Sequence, residues 1–264
     1  MRRLAVVNMK GGVGKTTTAV QLAAGCAAAG KRVLLVDADP QGNIGHLLGL
    51  HPRLTIRDLM IGDAALGDVV VRDVRPGLDV IAATPAAFAL ESQLAGTIQR
   101  ETLLARRLRD LTGVDVIVLD SSPAMNLLTY NALLCATELV MPIGMDSLAI
   151  AGARQTLSGV GEIRTLWPDR PLALSSVVPT GVNVQVHATR AALAAMSADP
   201  EMSPALFQRG IRQCVDLTYA AAAHLTIWEY APRSRAAEDY TALLESLDLT
   251  GATTTASGSV TTAP

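Results

Sequence analysis

The sequence predicts an α/β fold: a mostly parallel, doubly wound sheet covered by helices on both faces. Three observations predict it. Short apolar runs recur along the chain and are continuous rather than alternating, the pattern of strands buried on both faces. Stretches with helical spacing lie between them. The first apolar run leads through a glycine-rich turn straight into an alanine-rich stretch without proline.

In chain order, residues 3–8 read as the first strand. Residues 16–29 read as a helix that stops at Gly30. Further strands are expected over 31–39, 78–83, 114–120, 138–144 and 172–178. Helices are expected over 100–111, 148–166 and 184–196. A last helix over 235–247 would put Ala236, Tyr240, Leu243, Leu244 and Leu247 on one face. No internal repeat is present. One domain over 1–248 is expected, followed by a small, polar and disordered tail over 249–264.

Composition narrows the function. The 264 residues suffice for one large domain with a substantial core. Half are hydrophobic, yet no uninterrupted apolar run approaches the ~20 needed to cross a bilayer. The first strand starts almost at Met1, so neither a signal peptide nor an N-terminal operator-reading domain is expected. Cys26, Cys135 and Cys214 are scattered, which suits reduced thiols in a cytoplasmic protein better than disulfides or a metal site. The net charge is −2, so any nucleic-acid binding must come from a local patch. Aromatics are 3% of residues, too few for single-strand stacking platforms.

The turn after the first strand reads "NMKGGVGKTTT" from Asn8 to Thr18. A strand, a glycine loop and a helix together make a phosphate-binding loop. Gly11, Gly12 and Gly14 let backbone N–H groups turn inward, and the helix N-terminus adds its positive dipole end. Lys15 would reach the β- and γ-phosphates, and the Thr16 hydroxyl would ligate magnesium. The common pattern G-x-x-x-x-G-K-[ST] does not fit, because Met9 stands at its first glycine and Lys10 follows. The second expected strand closes in "DADPQGN", putting Asp37 and Asp39 at a strand end, where an aspartate is equally a turn former or a helix cap. "VIVLD" ends at Asp120 in a Walker B arrangement, or in an ordinary aspartate turn.

The run from Lys10 to Thr16, K-G-G-V-G-K-T, resembles the deviant Walker A motif of the ParA/MinD/nitrogenase-iron-protein class of P-loop NTPases. "DADPQGN" is similar to the D-x-D-P-Q-G element of ParA/Soj-type partition ATPases. Tyr230, Pro232, Ser234, Ala237 and Tyr240 match that family's Y-x-P-x-S-x-x-A-x-x-Y in order. Two departures stand out. Asp120-Ser-Ser-Pro123 replaces D-x-P-P, and Ile211-Arg-Gln-Cys214 replaces I-P-R-N, which leaves the adenine contacts unassigned.

The resemblance implies an ATPase using ATP and Mg2+. Its nucleotide contacts would be Lys10, Gly11, Gly12, Val13, Gly14, Lys15, Thr16 and Thr17. Lys10, Lys15 and Asp39 would serve hydrolysis, with Asp39 orienting the water. Thr16, Asp37, Asp39 and Asp120 would serve the magnesium. Lys10 would cross a homodimer interface to the partner's phosphates.

The ATP-bound dimer would bind double-stranded DNA non-specifically and answer to a ParB-like activator. It would position chromosome, plasmid or protein cargo on the nucleoid. Arg190, Arg209 and Arg212 are candidate DNA contacts, or ordinary solvated arginines. No Lys, Arg or aromatic residue follows Tyr240, which argues against a MinD-like membrane helix. The enzyme-class alternative is an amidoligase or synthetase on the same loop, against which "DADPQGN" argues.

Overall fold

The computed structural model describes residues 1–251. Its sheet contains β1 (Arg2–Val6), β2 (Val33–Ala38), β3 (Val71–Arg75), β4 (Leu78–Ile81), β5 (Val116–Ser121), β6 (Glu138–Gly144), β7 (Ala173–Val182) and β8 (Ile211–Arg212). Their spatial order is β3-β4-β2-β5-β1-β6-β7-β8, parallel throughout except for β3 against β4. β1 lies between β5 and β6. The chain crosses from one side of β1 to the other between β5 and β6, which makes the carboxyl end of β1 the switch point where such sheets bind ligands.

Both faces of the central strands are buried, which explains the continuous apolar runs. Ala5, Leu34, Val36, Ile117 and Leu119 pack into one core with α7 (Leu127–Cys135). Leu4, Val6, Val33, Leu35, Val116 and Val118 pack into the opposite core with α1 (Lys15–Ala28) and α12 (Arg235–Ser246). The expected face of α12, including Tyr240, Leu243 and Leu244, is buried there. Gly30 follows α1 with a φ of +83°, a left-handed stop that glycine adopts without strain.

Several elements depart from the expectation. The single helix over 100–111 is a 3-10 turn at Arg100–Thr102 followed by α6 (Leu103–Arg107). Asn131 of α7 explains the break: its side chain takes the Leu104 N–H at 2.9 Å and donates to the Arg100 carbonyl at 2.9 Å. α7 itself carried no periodicity because nearly all of it is buried. The short helices α2 (Asn43–Leu48), α3 (Ile56–Ile61), α4 (Leu66–Val69) and α5 (Leu90–Gln93) fill the connections after β2 and β4. On the far side α8 (Ser147–Leu166) and α9 (His187–Ala198) pack together beside β6 and β7, whose cluster includes Met141, Ile143, Val177 and Met196.

α10 (Asp216–Ala222) and α11 (Ile227–Tyr230) lead into α12. β3 is a polar edge strand with charged side chains, a pattern that discourages further pairing. At the end of the described chain Leu249 is 1% exposed, so order continues past residue 248. Residues 252–264 of the expected tail lie outside the described residues.

Candidate nucleotide-binding site

From the carboxyl end of β1 the chain turns through residues 7–14 into α1. Buried Asn8 organises the turn. Its Nδ2 donates to the Pro142 carbonyl of β6 at 2.7 Å, and its Oδ1 accepts the Lys10 N–H at 2.9 Å. The Met9 N–H donates to Thr156 Oγ1 of α8 at 2.9 Å. Thr180 Oγ1, at the end of β7, donates to the Val13 carbonyl at 2.9 Å. Three elements distant in sequence thus hold the loop open.

Gly12 and Gly14 have φ of +75° and +84°. A Cβ at Gly11 or Gly12 would meet nothing within 4 Å. Those glycines answer to backbone conformation and to close approach from the cleft, not to packing. The cleft, of about 460 Å³, is lined by Gly11, Gly12, Lys15, Thr16, Thr17 and Asp39 among others. Across the loop a second cleft of about 640 Å³ is walled by Gly12, Thr180, Gly181, Gln213, Cys214 and Thr218.

Lys15 opens α1 and is 7% exposed. Its ammonium donates to the Lys10 carbonyl at 2.9 Å. Burial lowers its pKa, and the charges of Asp120 and Asp39 oppose that shift. The carboxylates come from two adjacent strands, since Asp37 of β2 registers against Asp120 of β5. Both are fully buried. Neither Asp120 oxygen has a hydrogen-bond partner of normal geometry. Burial raises its pKa well above the carboxylate range, Asp37 adds to that, and the Thr16 hydroxyl and Lys15 oppose it. A bare carboxylate in the sheet interior calls for a cation.

Asp37, expected to support the metal, also carries a structural tie. Its two oxygens accept the Asp39 and Ile44 N–H groups, each at 3.1 Å, so it ties the turn after β2 and the start of α2 to the sheet. Burial pushes its carboxyl up to about 7. Asp39 accepts the Gln41 N–H on Oδ1 at 3.0 Å, which leaves its other oxygen for the cleft. Among the described residues no three His, Cys, Asp or Glu side chains form a metal cage. Magnesium fits such a site, because it keeps waters and phosphate oxygens and takes few protein ligands. Thr16 in the cleft wall and Asp120 beside its hydroxyl would hold it with its waters.

Lys10 is absent from the lining of its own phosphate cleft. Its ammonium instead donates to Asp146 Oδ1 at 2.5 Å. The three candidate arginines do not form one free patch. Arg209 and Arg212 both converge on Asp239, a fully buried carboxylate of α12, at 2.7 and 2.8 Å. Both also pair with Glu238. Their charges are thus met within the fold. Arg190 lies apart on α9 and donates to the Val184 and Gln185 carbonyls at 2.8 and 3.2 Å.

Asn8, Asp146, Thr156 and Thr180 were not singled out from the sequence. Only their contacts mark them, and those span more than a hundred residues of chain in each case where a helix or β7 meets the loop.

A family model described as an AAA domain (AAA_31) matches residues 1–169. The chain is 38% identical over 170 residues to the chromosome partitioning protein ParA of Caulobacter vibrioides, covering 62% of this chain and 64% of that protein. It is 33% identical over 252 residues to the sporulation initiation inhibitor protein Soj of Bacillus subtilis, covering 94% and 98%. The crystal structure of cobyrinic acid a,c-diamide synthase from Mycobacterium smegmatis, with a bound ATP analogue and magnesium, aligns with a TM-score of 0.79 at 28% identity over 93% of each chain. Apo McdA from Cyanothece aligns with a TM-score of 0.84 at 22% identity over 94% and 99%, a likeness of fold. With the deviant loop at the sheet's switch point and these matches along its length, the chain belongs to the ParA/Soj-type partition ATPases of the ParA/MinD superfamily.

Proposed function

We propose that this chain is an ATP-driven, dimerising switch that rides double-stranded DNA and positions a cargo through a ParB-like activator. ATP and magnesium bind with the phosphates along Gly11–Thr17 and the cation at Thr16 and Asp120. The sugar and base extend into the second cleft beside Gln213 and Cys214. Asp39 orients the attacking water, and hydrolysis is then a matter of positioning and charge neutralisation.

The observation that carries the dimer is Lys10. It sits in the phosphate loop, yet its ammonium pairs with Asp146 on the wall of the second cleft and does not line the phosphate cleft, which leaves it free to serve a partner's nucleotide. With nucleotide between two subunits, each Lys10 meets the other's phosphates in a water-poor site, where Coulomb attraction is least screened.

Unrelated duplexes test the reading. The ATP-loaded protein should bind them at low salt, with affinity falling steeply as salt rises. Arg190→Glu should weaken that binding. Arg212→Glu is a poor probe, since it would set a third carboxylate against Asp239 and Glu238 and disturb the fold. No duplex binding at low salt would overturn the DNA-carrier reading. The likeness to a diamide synthase at 28% identity keeps an amide-forming synthetase as a second reading. ATP turnover that requires a small carboxylate and ignores DNA would favour it.

A further inference from the structure

The geometry points to Asp146 as a latch that holds Lys10 in its own subunit and so sets how readily two ATP-loaded chains pair. This inference rests on the proposed role of Lys10 in the partner's site and adds its regulation.

Four contacts carry it. Lys10 Nζ reaches Asp146 Oδ1 at 2.5 Å, across 136 residues of sequence. Asp146 is held in place, because the same Oδ1 accepts the Ala149 N–H at 2.9 Å as the cap of α8. The backbone beside Lys10 is tied to the same helix through Met9 N–H and Thr156. At Gly152 of α8 a Cβ would stand 3.1 Å from the Lys10 Cβ, so helix and lysine stem are in close contact. The Lys10 side chain therefore lies along α8 with its charge matched. Consistent with that pairing, the Lys10 ammonium holds the Asp146 carboxyl below the usual range.

In this inference the lysine leaves Asp146 when it reaches a partner's phosphates. The nucleotide end is linked to the same residue, since Lys15 donates to the Lys10 carbonyl. When Lys15 turns to the phosphates, that carbonyl loses its partner and the loop segment carrying Lys10 is loosened. Lys10 and Asp146 are 27% and 53% exposed, so the pair is solvent-screened and its hold is modest. Pairs of this kind are worth up to about fivefold in an equilibrium. A two-fold dimer releases two of them, so removing the latch should tighten dimerisation by up to about 25-fold.

Asp146→Asn keeps a capping oxygen and removes the charge, and Asp146→Ser does the same with a shorter side chain. Dimerisation of the full chain would be titrated by sedimentation at saturating non-hydrolysable ATP analogue. Both variants should dimerise at a concentration several-fold below wild type. They should also show a weaker rise in dimer affinity with added salt, which screens the latch in the wild type. A midpoint equal to or above wild type in both variants overturns the latch. Lys10→Ala in the same assay separates the two ideas. If it dimerises as well as wild type, the trans-acting role of Lys10 fails. If it fails to dimerise while the Asp146 variants match wild type, only the latch fails.

Discussion

The two oxygens of Asp120 lie in the sheet interior without a hydrogen bond of normal geometry, beside the equally buried Asp37. Lys15 and the Thr16 hydroxyl only partly offset the cost of this pair in the free protein, since burial and the neighbouring carboxyl both disfavour charge on Asp120. Under the proposed function, the arrangement gives up stability in the free protein to receive a cation. Asp120→Asn should therefore stabilise the free protein by about 1–2 kcal/mol, a rise of roughly 2–8 °C in melting temperature. The same variant should lose the further rise that Mg-ATP gives the wild type. Thermal melts at pH 8 with EDTA or with Mg-ATP make the comparison. A variant less stable than wild type in EDTA would show that Asp120 has a structural partner instead.

Asp39 sits 5% exposed at the cleft with one oxygen committed to the Gln41 N–H. If Asp39 orients the water and does not hold the phosphates, as proposed, Asp39→Ala should bind ATP and accumulate as a dimer on sizing with light scattering. Rapid turnover by that variant would count against its role in orienting water.

At the scale of elements, the turn "DADPQGN" is built as a clamp between β2 and α2. Gly42 caps α2 with a φ of +70°, and a Cβ there would stand 2.7 Å from the Ala83 carbonyl oxygen. The motif glycine is thus required by a backbone neighbour just past β4. Gly42→Ala should cost about 2–4 kcal/mol, the sum of a left-handed penalty and an overpacked contact with backbone. Urea denaturation measures it, and a midpoint unchanged from wild type would refute the close approach. α12 is anchored by a comparable device: Asp239 takes the Arg212 N–H at 2.9 Å as well as both guanidinium groups. Charge-assisted bonds of this kind explain why a fully buried aspartate is tolerated on an otherwise apolar helix face.

For the molecule as a whole, the question is whether one chain completes its own site. The loop and Asp39 line the phosphate cleft of one subunit, while the Lys10 ammonium pairs with Asp146 outside that lining. Mixing variants addresses this. Lys10→Ala and Asp39→Ala should each be inactive alone. Their heterodimer keeps one composite site, in which the surviving Lys10 faces the nucleotide held by the chain with intact Asp39. That site should recover hydrolysis, up to half of the wild-type rate per dimer if the two sites act independently. Heterodimers shown to form but without activity would sink the trans-acting role.

The sequence by itself determined the elements whose causes are local. Continuous apolar runs placed the six inner strands, because a strand covered on both faces has no polar side to alternate with. The glycine loop was legible because its residues are contiguous and its chemistry is carried by backbone. Its nucleotide chemistry, like the roles of Asp39 and Asp120, still rested on family likeness. The tertiary structure decided what depends on contact across the chain. Asn131 cuts a helix that spacing alone would have continued. Arg209 and Arg212 read as free cations until Asp239, from α12, meets them. Asp37, expected at the metal, also accepts a backbone N–H on each oxygen, a tie that spacing did not show. Asp146 gave no signal, because an aspartate at a helix start is ordinary and its meaning lies in the lysine that packing brings to it. Hydrogen bonds and ion pairs of this kind act within a few ångströms, and only the folded chain sets which residues stand that close.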